Sequence, residues 1–97
     1  MSSATPVTPE PYALRIAPGA RRALTDRLPA AVAFAAFEFI NGPLRISPYR
    51  VGKPLHEPFE GLWSARRGTY RIRYSIDEKA RTIDVLDIAP RADAYRT

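Results

Sequence analysis

Cysteine is absent from the 97 residues, and histidine occurs once, at His56. The first absence excludes disulfides, thiolate metal sites and a cysteine nucleophile. The second leaves a catalytic triad or a histidine zinc site with a single imidazole to draw on. No run approaches the roughly 18 apolar residues of a membrane span. Residues 1–11 have neither the basic start nor the apolar stretch of a secretory signal, so the expected location is cytoplasmic. Acidic side chains are the minority, 10 against 15 Lys and Arg, which leaves a net charge of +5. What is present is an ordinary hydrophobic share of 45%, in a chain long enough for one small core and no more.

Thirteen of the cations are arginine, and alanine and proline are also abundant, as a GC-rich coding sequence would give. The placement of the charge says more than its composition. Residues 1–44 carry four cations and three anions, 45–73 carry seven and two, and 74–97 carry four and five. The excess therefore lies in the middle third, as an electrostatic footprint suited to phosphate or to an acidic protein.

Residues 1–11 hold Pro6, Pro9 and Pro11 among small polar residues and are expected to form a disordered tail. The rest, 12–97, reads as one domain. Residues 12–16 alternate as a first strand. Pro18 suits a first helical turn, after which Ala20, Leu24 and Leu28 recur at four-residue spacing. Pro29 ends that helix and starts a second over 30–41, apolar on nearly every side, which Gly42-Pro43 is expected to stop. So apolar a helix is expected to be covered on more than one side. Residues 44–61, broken by Pro48, Pro54, Pro58, Gly52 and Gly61, read as a long loop. Strands over 62–66, 69–76 and 82–88 follow as an antiparallel meander. The expected fold class is α+β: a small antiparallel sheet of about four strands with an N-terminal helical hairpin on one face.

Period-two alternation assigns the faces. Tyr70, Ile72, Tyr74 and Ile76 turn toward the helices with Trp63 and Ala65, which leaves Leu62, Ser64, Arg66, Arg71 and Arg73 on the open side. In the last strand Ile83 and Val85 are expected on one face and Leu86 and Ile88 on the other. Arg91 and Tyr95 follow at the sheet's edge. The set is a basic surface without a carboxylate pair. Arginine forks match phosphate oxygens and stabilise extra negative charge, yet they are poor acids and bases. On RNA the nucleophile can be the substrate's own 2′-hydroxyl, and Tyr95 is a candidate for proton shuttling or base stacking. Lys53 is a candidate phosphate contact.

Three strings then stand out: Gly-Lys-Pro-Leu at 52–55, Gly-Leu-Trp-Ser-Ala-Arg-Arg-Gly-Thr-Tyr-Arg at 61–71, and Pro-Arg-Ala-Asp-Ala-Tyr-Arg at 90–96. With the helical hairpin broken at Leu28-Pro29, they resemble the RelE branch of the RelE/ParE toxin superfamily over about residues 12–97. The resemblance implies a type II toxin that enters the ribosomal A site and cleaves messenger RNA by 2′-hydroxyl attack, without metal or other cofactor. It implies Arg71, Arg91 and Tyr95 as catalytic residues, and Lys53, Arg66, Arg67 and Arg73 are the candidates for binding phosphate beside them. It also implies a small, RelB-like antitoxin as neutralising partner, alongside the ribosome. Well-studied members carry two strand lysines, one of them assigned proton transfer, where this chain has Leu62 and Ser64. That departure keeps open a second reading, a ParE-like toxin that inhibits DNA gyrase by binding alone.

Overall fold

The computed structural model describes residues 10–90. Five segments are extended: β1 Ala13–Ile16, β2 Lys53–Pro54, β3 Trp63–Arg67, β4 Tyr70–Asp77 and β5 Thr82–Pro90. They form one sheet in the order β1-β5-β4-β3-β2. The last three lie within a residue or two of where alternation sets them, and they pair as an antiparallel meander. Arg67 pairs with Tyr70 across a two-residue turn in which Gly68 takes a φ of +62°. Positive φ at the first central position is the type II′ geometry, whose twist matches that of the flanking strands.

Two features of the sheet differ from the expectation. The sheet is mixed, because β1 runs parallel to β5, with Leu14 opposite Ile83 and Ile16 opposite Val85. Parallel pairing needs a long crossover, and alternation within β1 carries no information about its partner or direction. The second difference is a bulge. Arg73 pairs with Asp87 and Tyr74 with Val85, so Leu86 has no opposite number on β4. One extra residue reverses the parity of the strand beyond it. Ile88 therefore joins Ile83 and Val85 in the core instead of facing away from them, and Asp84 and Asp87 fall together on the open face.

Helix α1, Pro18–Arg22, has proline in its first turn and widens into a π turn over Ala23–Arg27, closed by the Leu28 N–H on the Ala23 carbonyl at 3.0 Å. Leu28 is extended, as the residue before Pro29 must be. Helix α2, Ala30–Phe39, then begins on the Pro29 carbonyl, which accepts from Ala33 N–H at 2.8 Å. Gly42-Pro43 does not stop it. A second π turn, Ile40–Leu44, carries the chain through Pro43, whose missing N–H the wider i→i+5 pairing accommodates. Nor is the following stretch a plain loop: it holds helix α3, Pro48–Val51, and then β2.

The core lies between the sheet and the hairpin. Ala65, Tyr70, Ile72, Tyr74, Ile83, Val85 and Ile88 meet Ala20, Ala23, Ala36, Phe39, Ile40 and Leu44. Small residues on α1 let it come close to β5, where a Cβ at Gly19 would touch the Leu86 carbonyl at 3.7 Å. The second covering expected for α2 is not found among the described residues: Phe34 is 68% and Phe37 41% exposed. No helix among them is long and apolar enough to cross a membrane. The expected tail over 1–11 lies outside the described residues except for Glu10 and Pro11, and the Glu10 carbonyl accepts from Arg81 Nη2 at 2.8 Å.

The far end of the sheet is tied by one carboxylate. Glu78 Oε2 accepts from the phenols of Tyr12 and Tyr49, each at 2.5 Å, while the Arg81 guanidinium lies 3.9 Å from the Tyr12 ring centroid. These bonds join the residue preceding β1, α3 and the β4–β5 turn. The two donated hydrogen bonds hold the Glu78 carboxyl below its ordinary value, and the same carboxylate pushes Tyr49 up to about 12. A lowered carboxylate pKa stabilises the fold above the unfolded value of 4.5, and that contribution is lost as pH falls through the folded one. The urea midpoint should therefore drop as pH falls below about 4.5. Glu78→Gln, which keeps an acceptor oxygen but does not titrate, should flatten that acid limb in urea melts taken from pH 3 to 7.

Candidate functional site

The open face of the sheet is organised by register. Residues directly opposite one another share a face, so Lys53, Ser64, Arg73 and Asp87 form one row across β2, β3, β4 and β5. The next row is Arg66, Arg71 and Ala89. Over the β2–β3 side of these rows lies a groove of about 470 Å³. Its polar lining is Arg50, Lys53, Ser64, Arg66 and Arg71, with Val51, Gly52, Pro54 and Leu55 completing the wall. Among the described residues, its lining holds four cations and no carboxylate.

The acidic residues of the open face are held elsewhere. Asp87 accepts from Arg73 Nη2 at 2.5 Å and from Nε at 3.1 Å, and Asp84 accepts from Arg15 Nε at 2.7 Å. Pairing with Asp87 raises Arg73 above the ordinary arginine value. Ion pairs this exposed stabilise the fold by at most about 1 kcal/mol, so their main effect is local neutralisation. They leave the β2–β3 side as the basic half of the face.

Of the residues singled out in the sequence, Arg71, Arg66 and Lys53 are brought together. Two others are not. Arg73 is engaged by Asp87, with its guanidinium also 5.8 Å from the Phe59 ring centroid. Arg67 follows Arg66 on a strand and so points to the opposite side, where its guanidinium lies 5.3 Å from the Phe39 ring centroid. Arg91 and Tyr95 lie outside the described residues. Arg91 directly follows Pro90, which pairs with Tyr70 beside Arg71. The residue that sequence reasoning missed is Arg50. It belongs to the cation-rich segment 45–73, but its segment read as a featureless loop. Only the short helix α3 reveals that it faces the groove.

That helix is fixed from inside the protein. The Tyr74 side chain is fully buried, stacks on Trp63 with ring centroids 6.5 Å apart, and donates from its hydroxyl to the Pro48 carbonyl at 2.6 Å. Burial pushes its phenol up to about 12, so it remains a donor at any working pH. Trp63 in turn meets the edge of Tyr49 at 5.3 Å. Gly52 passes directly over the Tyr74 hydroxyl. A Cβ there would overlap the phenol oxygen and lie 2.9 Å from the Ser64 carbonyl. Neither can retreat, since one is bonded to Pro48 and the other belongs to the sheet. Gly52→Ala should thus cost about 1–3 kcal/mol, read as a lower denaturant midpoint, and Gly42→Ala, which meets open space, should not show this overlap cost.

Comparison with known proteins agrees with this architecture. Residues 9–95 match the family model described as the ParE toxin of the type II toxin–antitoxin system parDE. Toxin RelE of Mycobacterium tuberculosis is 46% identical over 86 residues, 89% of this chain and 88% of that protein. Toxin RelG of the same organism is also 46% identical over 86 residues, 89% of this chain and 98% of that protein. The fold is similar to the crystal structure of the M. tuberculosis toxin–antitoxin complex RelBE2, with a TM-score of 0.80 and 44% identity over 84% of this chain and 100% of that one. The matched family model, the two relatives and the shared sheet-and-hairpin fold place this chain in the ParE toxin family of the RelE/ParE superfamily, the toxins of type II toxin–antitoxin systems.

Proposed function

We propose that this toxin is a ribosome-dependent messenger endonuclease, acting in the cytoplasm and neutralised by a RelB-like antitoxin. The observation that carries the reading is the groove between β2 and β3, where Arg50, Lys53, Arg66 and Arg71 converge. A phosphodiester is the ligand such a lining suits. Arginine forks engage its non-bridging oxygens, and fixed cations in a partly shielded groove gain strength as the phosphorane accumulates charge. With the substrate's own 2′-hydroxyl as nucleophile, the step needs orientation, charge and proton transfer, and the product carries a 2′,3′-cyclic phosphate. Arg71 is the central binding residue, because it is half-buried on the middle strand of the sheet and sits opposite Arg66. Arg91 and Tyr95 complete the set on the strength of the motif at 90–96. The likeness to Toxin RelE supports the toxin role, and the likeness to the RelBE2 toxin–antitoxin complex supports the antitoxin.

The test is cleavage of a defined messenger by the purified toxin on programmed ribosomes. Cuts confined to the A-site codon are expected, with Arg71→Ala lowering the single-turnover rate about 100- to 1000-fold. Arg73→Ala should fall less than about tenfold, since that guanidinium already serves Asp87. Arg50→Ala should make the salt dependence of association shallower by about 0.7 in log–log slope, the signature of one lost phosphate contact on a single strand. Intact messenger together with inhibition of gyrase supercoiling would instead establish the non-enzymatic reading, which the ParE family match favours.

A further inference from the structure

We propose that Lys53 is the general acid of the cleavage, donating a proton to the departing 5′-oxygen; this rests on the endonuclease reading given above. In-line attack requires one proton to leave the 2′-oxygen and one to reach the 5′-oxygen, on opposite sides of the phosphorus. The 2′-hydroxyl gives up its proton to water as the O2′–P bond forms, and the P–O5′ bond breaks to leave an alkoxide that must be protonated. Lys53 supplies that proton and recovers one from water, so the protein ends unchanged.

Elimination within the described residues leads to this side chain. Arginines hold their protons at any working pH, which removes Arg50, Arg66 and Arg71. Tyr12 and Tyr49 donate to Glu78, Tyr74 donates to Pro48, and Tyr70 is in the core. Asp84 and Asp87 are ion-paired with Arg15 and Arg73. His56 is exposed on the loop between β2 and β3 and does not line the groove. Among the lining residues Lys53 alone carries a cationic proton that an amine can release.

The placement fits the task. Lys53 is opposite Ser64 and on its face, one row from Arg66 and Arg71. With strands about 4.8 Å apart and a rise of about 3.4 Å per residue, the Lys53 and Arg71 backbones stand about 12 Å apart, close enough for both side chains to close on one phosphate from two sides. Its backbone is held on one flank by Gly52 against Tyr74 and on the other by Pro54, opposite Trp63. Ser64, directly opposite, is the smallest side chain of that row and lines the same groove.

The test uses Lys53→Arg, which keeps the charge but withholds the proton, on messenger-programmed ribosomes. For the ordinary linkage the single-turnover rate should fall about 100-fold or more, while the dissociation constant for the programmed ribosome stays within about twofold. With a bridging 5′-phosphorothiolate at the scissile position, whose thiolate leaves without a proton, the variant should return to within about fivefold of the parent. A defect of equal size on both linkages, or none on the ordinary one, overturns the proposal. So does selective thiolate rescue of Tyr95→Phe in place of Lys53→Arg, which would give the proton to the phenol. Failure of the parent protein itself to cut overturns the endonuclease reading first, and so is distinguished from failure of Lys53.

Discussion

The contact on which the site depends is the one between the buried Tyr74 hydroxyl and the Pro48 carbonyl. It reaches from the middle strand of the sheet into a segment that composition alone would leave unstructured. Three prolines and two glycines within 44–61 deny that segment a long regular element. Its shape is instead imposed from below: the phenol holds the start of α3, Gly52 lies over that phenol, and β2 continues directly into the ladder with β3. Arg50 and Lys53 reach the groove because an apolar ring fills the space beneath them. A core residue thereby sets the geometry of the charged surface above it.

Charge on the open face is sorted rather than merely abundant. The bulge at Leu86 brings Asp84 and Asp87 to the same side, where each closes on an arginine, and the sheet is left neutralised toward β1 and basic toward β2. Without the extra residue Asp87 would turn toward the core, Ile88 would turn outward, and Arg73 would lose its partner. A single unpaired residue thus governs both the packing of the last strand and the boundary of the site.

Much of this was legible in the sequence, because local periodicity is what alternation reports. The three meander strands, the inward row from Tyr70 to Ile76 and the outward Arg66 and Arg71 follow from it. Non-local facts did not follow. The parallel pairing of β1 depends on where a long connection delivers the chain, and the parity change at Leu86 depends on its partner strand. The run of helix through Gly42-Pro43 depends on a π turn that propensity does not encode. Arg67 counted as a phosphate candidate by charge and neighbourhood, whereas the strand runs one residue past Arg66 and sends it to the other side. Arg50 went unseen for the complementary reason, a cation in a segment with no visible period. The catalytic roles of Arg91 and Tyr95 come from motif resemblance alone.

The two-residue strand β2 also bears on how the protein keeps to itself. A sheet ending on β3 would present a row of open backbone donors and acceptors to any extended peptide, including another copy of the chain. Lys53-Pro54 covers that row at Trp63 and Ser64, then offers little in its place: the proline has no N–H to give, and lysine is a residue that edges use against further pairing. The dipeptide that lines the groove also guards this edge of the sheet.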